Sequence, residues 1–222
     1  MTMCPGEAGR TIGSVSTGRT PPFQILIVCT GNVFRSPAAE FLLADRFGCA
    51  SGLSISSAGT EAVAGAPVAP AVESRLRRLG IDAGGHRARP LSDTLIGQAN
   101  LILTMTALHR RWVVERSPAV LRSLFTLRRL AQIAACTPPE ALEGAGRSRS
   151  TAARLQALVD LAPRYRIAVP LEEDIVDPFG AGPIAAERAF DDIAECVATI
   201  GTALLAIPRR RDESPRPPAC AR

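Results

Sequence analysis

The chain contains no lysine: all 26 of its basic side chains are arginines, set against 21 acidic ones for a formal charge of +5. The arginines are scattered, aromatic residues make up only 4%, and no nucleic-acid-binding motif occurs. Nucleic-acid binding draws on basic residues gathered on one face, commonly interleaved with stacking rings. It is therefore not expected here, and the arginine excess reads as compositional bias. Long apolar runs are also missing, since none approaches the roughly 20 residues that span a bilayer. The N-terminal MTMCPGEAGRTIG lacks the apolar heart of a signal peptide. A soluble cytoplasmic protein without membrane insertion is expected. Zinc-type spacing is absent among the six cysteines at 4, 29, 49, 136, 196 and 220. In a reducing cytoplasm they default to free thiols, with no metal and no cofactor. Cys49, Cys136 and Cys196 read as small buried hydrophobes or passive surface thiols.

Hydrophobic residues make up 46% of the 222, enough for a sizeable core. Residues 1–21 are rich in Gly, Ser, Thr and Pro, and residues 208–222 (PRRRDESPRPPACAR) resemble them in composition. Both are expected to be disordered tails on one domain at 22–207. Inside it strands and helices alternate. Residues 23–28 form a nearly unbroken apolar run, as in a parallel strand covered on both faces. Ser36 offers an N-cap and Pro37 an N1 residue for a helix reaching Phe47. Residues 53–57 read as a second strand running into SAGT, and 68–79 as a helix closed by Gly80. A short helix begins at Ser92, 101–105 is a third strand, and 108–115 is helical. Residues 120–127 are the candidate fourth strand. Ala186, Ala189, Phe190, Ile193, Val197, Ile200 and Leu204 keep a helical period in a final helix ended by Pro208. Residues 137–170, opening TPPEALEGAGRSRS, read as an insertion: a flexible stretch, then a helix over 151–161. The alternation predicts an α/β fold on a parallel sheet. Its ligand site should lie at the carboxyl ends of the strands.

Cys29 stands at such an end, in VCTGNVFRSP (28–37). A loop from Cys29 to Arg35 between a strand and a helix N-terminus can turn successive backbone amides inward as an anion nest. Gly31 relaxes the backbone, Asn32 tolerates a left-handed conformation, and the Arg35 fork matches two phosphate oxygens. A helix N-terminus and a nearby cation favour thiolate over thiol, so the Cys29 sulfur is expected to be anionic and aimed at phosphorus. Ser36 can donate a hydrogen bond to it. In-line attack would give a phosphocysteine that water later hydrolyses. The departing oxygen needs a general acid. Asp177 in VDPFG is the candidate, with Asp174 and the Glu172–Glu173 pair as rivals by position. Phe179 offers a flat face to a substrate ring. His86 reads as structural, His109 as an exposed helix residue, Trp112 as packing, and Arg87 and Arg89 as a solvated face.

Cys29-Thr30-Gly31-Asn32-Val33-Phe34-Arg35-Ser36-Pro37, with SSAGT after the second strand and the late Asp177-Pro178, resembles the low-molecular-weight protein tyrosine phosphatases. The resemblance covers most of residues 23–207. It implies a four-stranded parallel sheet flanked by helices, with a phosphate-binding loop after the first strand. It also implies Cys29 as nucleophile, Arg35 as phosphate clamp and Asp177 as acid and later base. Asn32, Ser36 and Ser57 would hold the loop in shape, and Phe179 would wall the cleft. The implied substrate is a phosphotyrosyl protein, with bacterial tyrosine kinases as partners by family analogy. The family often has a second cysteine where this chain has Phe34, and tyrosines where it has Phe179-Gly180. The alternatives are a protein-arginine phosphatase, disfavoured by Val33 where such relatives carry threonine, an arsenate reductase using an external thiol, and a non-catalytic phosphoprotein-binding module.

Overall fold

The computed structural model describes residues 21–48, 51–143, 150–165 and 174–206. The expected terminal tails, Cys4, Cys49, Cys220, Glu172, Glu173 and Pro208 lie outside the described residues. Four parallel strands form one sheet in the order β2-β1-β3-β4: β1 Phe23–Cys29, β2 Leu53–Gly59, β3 Leu101–Thr104 and β4 Leu124–Thr126. The apolar run of β1 from Ile25 to Cys29 follows from its central place. Ile25, Ile27 and Cys29 enter the larger core cluster, while Leu26 and Val28 enter the smaller one. A strand buried on both faces has no position for a polar residue. The chain leaves β1 for β2 on one side and returns to β3 on the other, so the carboxyl end of β1 is the point where strand order reverses and a crevice opens.

Helices α1 (Arg35–Phe47), α2 (Pro70–Arg78) and α7 (Gly182–Leu205) cover the face carrying the larger cluster. On the other face lie α3 (Asp93–Gln98) and α4 (Ala107–Arg116), supplying Ile96 and Val113. Side-chain hydroxyls start the shorter helices: Ser92 accepts from the Leu95 amide, and Thr106 from that of His109.

Three sequence expectations are corrected. Ser36 does not cap α1. The helix begins two residues earlier, at Arg35 behind Phe34 and without a side-chain cap, because the Ser36 hydroxyl is engaged elsewhere. The expected strand at 120–127 shrinks to the three residues of β4, preceded by a 3-10 turn over Pro118–Ser123. Leu124, Phe125 and Thr126 are enclosed in the strand, the equally buried Leu127 already opens the next helix, and the arginine of this stretch stays outside the strand. Thirdly, residues 137–143 are ordered, continuing from an unexpected helix. Leu127–Cys136 is a helix, α5, started by the Thr126 hydroxyl accepting from the Arg129 amide. A further 3-10 turn at Pro139–Leu142 buries Leu142. Only 144–149 of the expected flexible stretch lies outside the described residues.

The helix α6 spans Thr151–Tyr165, four residues longer than expected. Its Leu155, Leu158, Val159 and Ala162 join Leu130 and Ile133 of α5 and Ile193 and Val197 of α7 in the main core. Arg154 of α6 donates to the carbonyl of Ala203, in the last turn of α7, where a cation meets the negative end of the helix dipole. The inserted elements thus extend the hydrophobic interior. Leu158→Ala is expected to cost about 2–5 kcal/mol of stability, the range for a fully buried leucine, with no change in phosphate affinity. Urea unfolding and phosphate titration check both halves.

Candidate active site

The loop after β1 is built by turning its carbonyls outward. The carbonyl of Cys29 accepts from the Thr60 amide at 2.9 Å, that of Thr30 from Glu61 at 2.9 Å, and that of Val33 from Ala69 at 2.8 Å. The carbonyl of Asn32 accepts from Nε2 of His86 at 2.8 Å. Peptide units so anchored leave their N–H edges for an anion. Asn32 takes the left-handed conformation, with φ of 53°, at which an asparagine is tolerated. Gly31 does not: its φ is not positive, and a Cβ there would meet only Val33 at 3.5 Å. The glycine the loop requires is Gly59, at the end of β2 beside Cys29. A Cβ on Gly59 would stand 2.3 Å from the Thr30 carbonyl oxygen and 2.9 Å from the Asn32 nitrogen.

Below the loop every polar group has an assigned direction. Oδ1 of Asn32 accepts from the Arg89 amide at 2.9 Å. That fixes the amide group, and Nδ2 donates to the hydroxyls of Ser36 at 3.0 Å and Ser57 at 2.7 Å. Ser57 passes its own proton to the carboxylate of Glu40. Ser36, which accepts from Asn32, has its own proton free for the sulfur of Cys29, 2.9 Å away. The Asn32 amide also points at that sulfur, at 3.3 Å. Both donors suit an anionic sulfur. Burial pushes the Glu40 carboxyl above its ordinary range, a shift that Ser57, His86 and Arg89 offset in part. Cys29, Asn32, Ser36 and Ser57 are all buried.

Arg35 is buried to 4% exposure at the start of α1. It donates to the Thr30 hydroxyl at 3.1 Å and the Ile175 carbonyl at 3.3 Å, and it pairs with the carboxylate of Asp177. Asp177 reaches it from far along the chain because residues 174–178 are docked on the sheet. The Ile175 amide donates to the Met105 carbonyl at 2.8 Å, beyond β3, and the Ile175 side chain is fully buried. Asp174 faces the other way, accepting from the Ala107 amide at the start of α4 at 2.7 Å. Asp177 therefore lines the cleft, and its rival caps a helix.

The cleft holds about 990 Å³ above Cys29 and Arg35, with Val33, Phe34, Val63, Ala66 and Phe179 among its walls. Phe179 is 92% exposed and Val63 74%, so both edges present bare apolar surface. Among the described residues no second cysteine lines the cleft, and no cluster of His, Cys, Asp and Glu could hold a metal ion.

Two expectations about side chains are overturned. Arg89 is not on a solvated face: its Nε donates to the Ser57 carbonyl at 2.7 Å, beneath the loop. His109, expected to be exposed, is buried, with its ring between the hydroxyls of Thr30 and Thr106. Burial and the adjacent Arg35 guanidinium lower its pKa to about 4. Its helical periodicity carried no hint of this, since the loop it meets lies 79 residues away. Glu40 and Gly59 were also missed. Glu40 lies four residues after Ser36 on the same helix face, and Gly59 ends the SSAGT stretch.

A doubly wound sheet carrying an anion-sized cup at its reversal point, with a thiol at the bottom and an arginine at the rim, defines a phosphate-handling class built on cysteine. Comparison with known proteins narrows it. The family model described as low molecular weight phosphotyrosine protein phosphatase matches residues 24–134. The probable low molecular weight protein-tyrosine-phosphatase EpsP of Ralstonia nicotianae is 37% identical over 114 residues, 51% of this chain and 77% of that one. A protein-arginine-phosphatase of Geobacillus stearothermophilus is 37% identical over 107 residues, 48% of this chain and 70% of that one. The solved YwlE arginine phosphatase from Geobacillus stearothermophilus superposes with a TM-score of 0.57 at 28% identity, covering 81% of this chain and 91% of that one. The chain belongs to the low molecular weight phosphotyrosine protein phosphatase family, and it is a phosphatase.

Gly59→Ala tests the loop's construction. Its new methyl group would overlap backbone, which no side-chain rotation relieves, so the loop must shift. The expected cost is about 1–3 kcal/mol of stability, with loss of phosphate binding. Gly31→Ala, which meets nothing closer than an ordinary contact, is expected to fold like wild type. Thermal unfolding and phosphate titration of the two variants check the contrast.

Proposed function

We propose that this phosphatase hydrolyses phosphotyrosine on proteins through a phosphocysteine formed on Cys29. The observation that carries the reading is the directed set of donors around one buried sulfur, with Arg35 and Asp177 above it. An incoming phosphate dianion competes with Asp177 for the Arg35 fork and is the better bidentate partner. Its arrival frees the Asp177 carboxylate, which takes up a proton from solvent and faces the leaving oxygen. Sulfur attacks phosphorus in line, the P–O bond to the tyrosyl oxygen breaks, and Asp177 supplies the proton that makes a neutral phenol. Amides of the loop and the guanidinium hold the three equatorial oxygens through the transfer. Asp177, now ionised, takes a proton from a water that attacks the phosphocysteine, releasing inorganic phosphate and the thiolate.

The apolar walls of the cleft favour an aromatic ring. A phosphoguanidinium needs acceptors for its N–H groups, and Val33 supplies none. Glu61 at the cleft's edge is the observation that favours phosphoarginine as a second reading, in line with relatives named as arginine phosphatases. Arsenate reduction without an external thiol is disfavoured, because Cys29 is the single cysteine among the cleft's described residues. A catalytic thiolate needs a reducing compartment. Cys29, Cys136 and Cys196 are free thiols, and no described helix is long and apolar enough to cross a membrane. Together these favour the cytoplasm, where a bacterial tyrosine kinase would supply substrate.

A panel of phosphotyrosyl, phosphoarginyl and phosphoseryl peptides with arsenate tests the reading. Wild type is expected to prefer phosphotyrosine. Cys29→Ser should lose turnover by at least about a thousandfold, as nucleophile removals do. Asp177→Asn should lose about 10²–10⁴-fold on leaving groups of high pKa and little on activated aryl phosphates. Undiminished turnover in Cys29→Ser contradicts the mechanism, and faster phosphoarginine hydrolysis reassigns the substrate.

A further inference from the structure

We infer that His109 is a positioning residue that holds the Arg35 guanidinium in register with the phosphate site, acting through the hydroxyl of Thr30. Four groups stand in a row: Thr106, His109, Thr30 and Arg35. Nδ1 of His109 is 2.8 Å from the Thr106 hydroxyl, and Nε2 is 3.0 Å from the Thr30 hydroxyl. The Thr30 hydroxyl in turn accepts from Arg35 at 3.1 Å. Thr106 is itself immobile, because it caps α4 by accepting from the backbone amide of His109 at 3.2 Å. The row therefore runs from a helix terminus on β3's side of the crevice to the cation of the phosphate site.

The chemistry of the ring fits this task. An arginine only donates, so the Thr30 oxygen must accept from it. A neutral imidazole carries one donor and one acceptor, and between two hydroxyls it is satisfied whichever nitrogen holds the proton. A protonated ring would instead place a second buried cation beside Arg35. The charged groups that face His109 are Arg35, Asp177 and Asp174, the first opposing its protonation and the two carboxylates favouring it. Burial and Arg35 prevail and hold its pKa at about 4, so the ring is a neutral bridge at physiological pH. Arg35 has two other partners. Asp177 must give way to phosphate, and the Ile175 carbonyl is reached at 3.3 Å by the other terminal nitrogen. The Thr30 contact is the side-chain contact that stays when phosphate enters, and His109 fixes its rotamer.

The inference rests on Arg35 as the phosphate clamp, and Arg35→Lys tests that premise separately. If Arg35→Lys binds inorganic phosphate as wild type does, the clamp reading fails. The His109 experiment uses the full chain, inorganic phosphate as probe and an aryl phosphate for turnover. His109→Leu and Thr30→Val are each expected to weaken phosphate binding about tenfold and to lower kcat/KM about 10- to 100-fold, the scale of a displaced catalytic group. His109→Gln keeps one donor and one acceptor and should stay within about threefold of wild type, because it can bridge the same hydroxyls. The double variant His109→Leu/Thr30→Val should be no worse than either single one, since both break the same row. Wild-type phosphate affinity in folded His109→Leu, additive losses in the double variant, or equal losses in His109→Gln and His109→Leu would overturn the inference. Should His109→Leu fail to fold, Thr30→Val and His109→Gln decide: a wild-type Thr30→Val or an impaired His109→Gln refutes it.

Discussion

The site depends on the orientation of one amide side chain. Asn32 has two donors and one acceptor group, and the structure engages all of them: the Arg89 amide fixes the oxygen, and the hydroxyls of Ser36 and Ser57 take the two protons. Once the oxygen is fixed, the protons of Asn32 are committed to the two hydroxyls. Ser36 keeps its own proton for an anionic sulfur, and Ser57 donates to Glu40. A buried polar network of this kind is stable only when complete, since each unpaired member would cost the full desolvation of its group. The same residue supplies the left-handed turn that bends the loop into a cup. Its backbone amide is a second donor to Cys29.

The network needs a rigid floor, and the fold provides it at the point where strand order reverses. β1 ends in Cys29 with β2 and β3 on either side, and the first peptide units of the loop remain paired to residues 60 and 61 just past β2. Gly59 lets that pairing come close. On the opposite rim, Ile175 anchors a segment that would otherwise have no reason to approach, and Asp177 follows two residues later. The inserted α6, like the α5 before it, leaves this arrangement untouched, because both bury their apolar faces with α7 in the main core.

Much of this was legible in the sequence. The uninterrupted apolar run before Cys29 announced a central strand, and Cys-x5-Arg-Ser-Pro announced the loop, because both signals are local. Asp177 was legible as a turn residue next to proline. What was hidden depends on tertiary contact. Gly31 drew the attention that belongs to Gly59, since a sequence shows which glycine is in a loop and not which one faces another backbone. His109 and Arg89 looked like surface residues because their partners, Thr30 and Ser57, come from elements that only the sheet brings near. In residues 127–136, Arg128 and Arg129 mask the Leu127, Leu130, Ala131 and Ile133 face that the helix buries. The length of β4 was overestimated for the related reason that alternation cannot show where an edge strand stops pairing.

The account stands on covalent transfer of the phosphoryl group to sulfur. Rapid mixing of Asp177→Ala with an activated aryl phosphate, quenched in acid within one turnover and followed by peptide mass spectrometry, tests it most directly. The variant lacks the carboxylate that activates water, so a single phosphoryl group is predicted to accumulate on Cys29, with a burst of phenolate equal to the enzyme concentration. Phosphate on another residue, or release of phenolate and inorganic phosphate together with no covalent species, would contradict it.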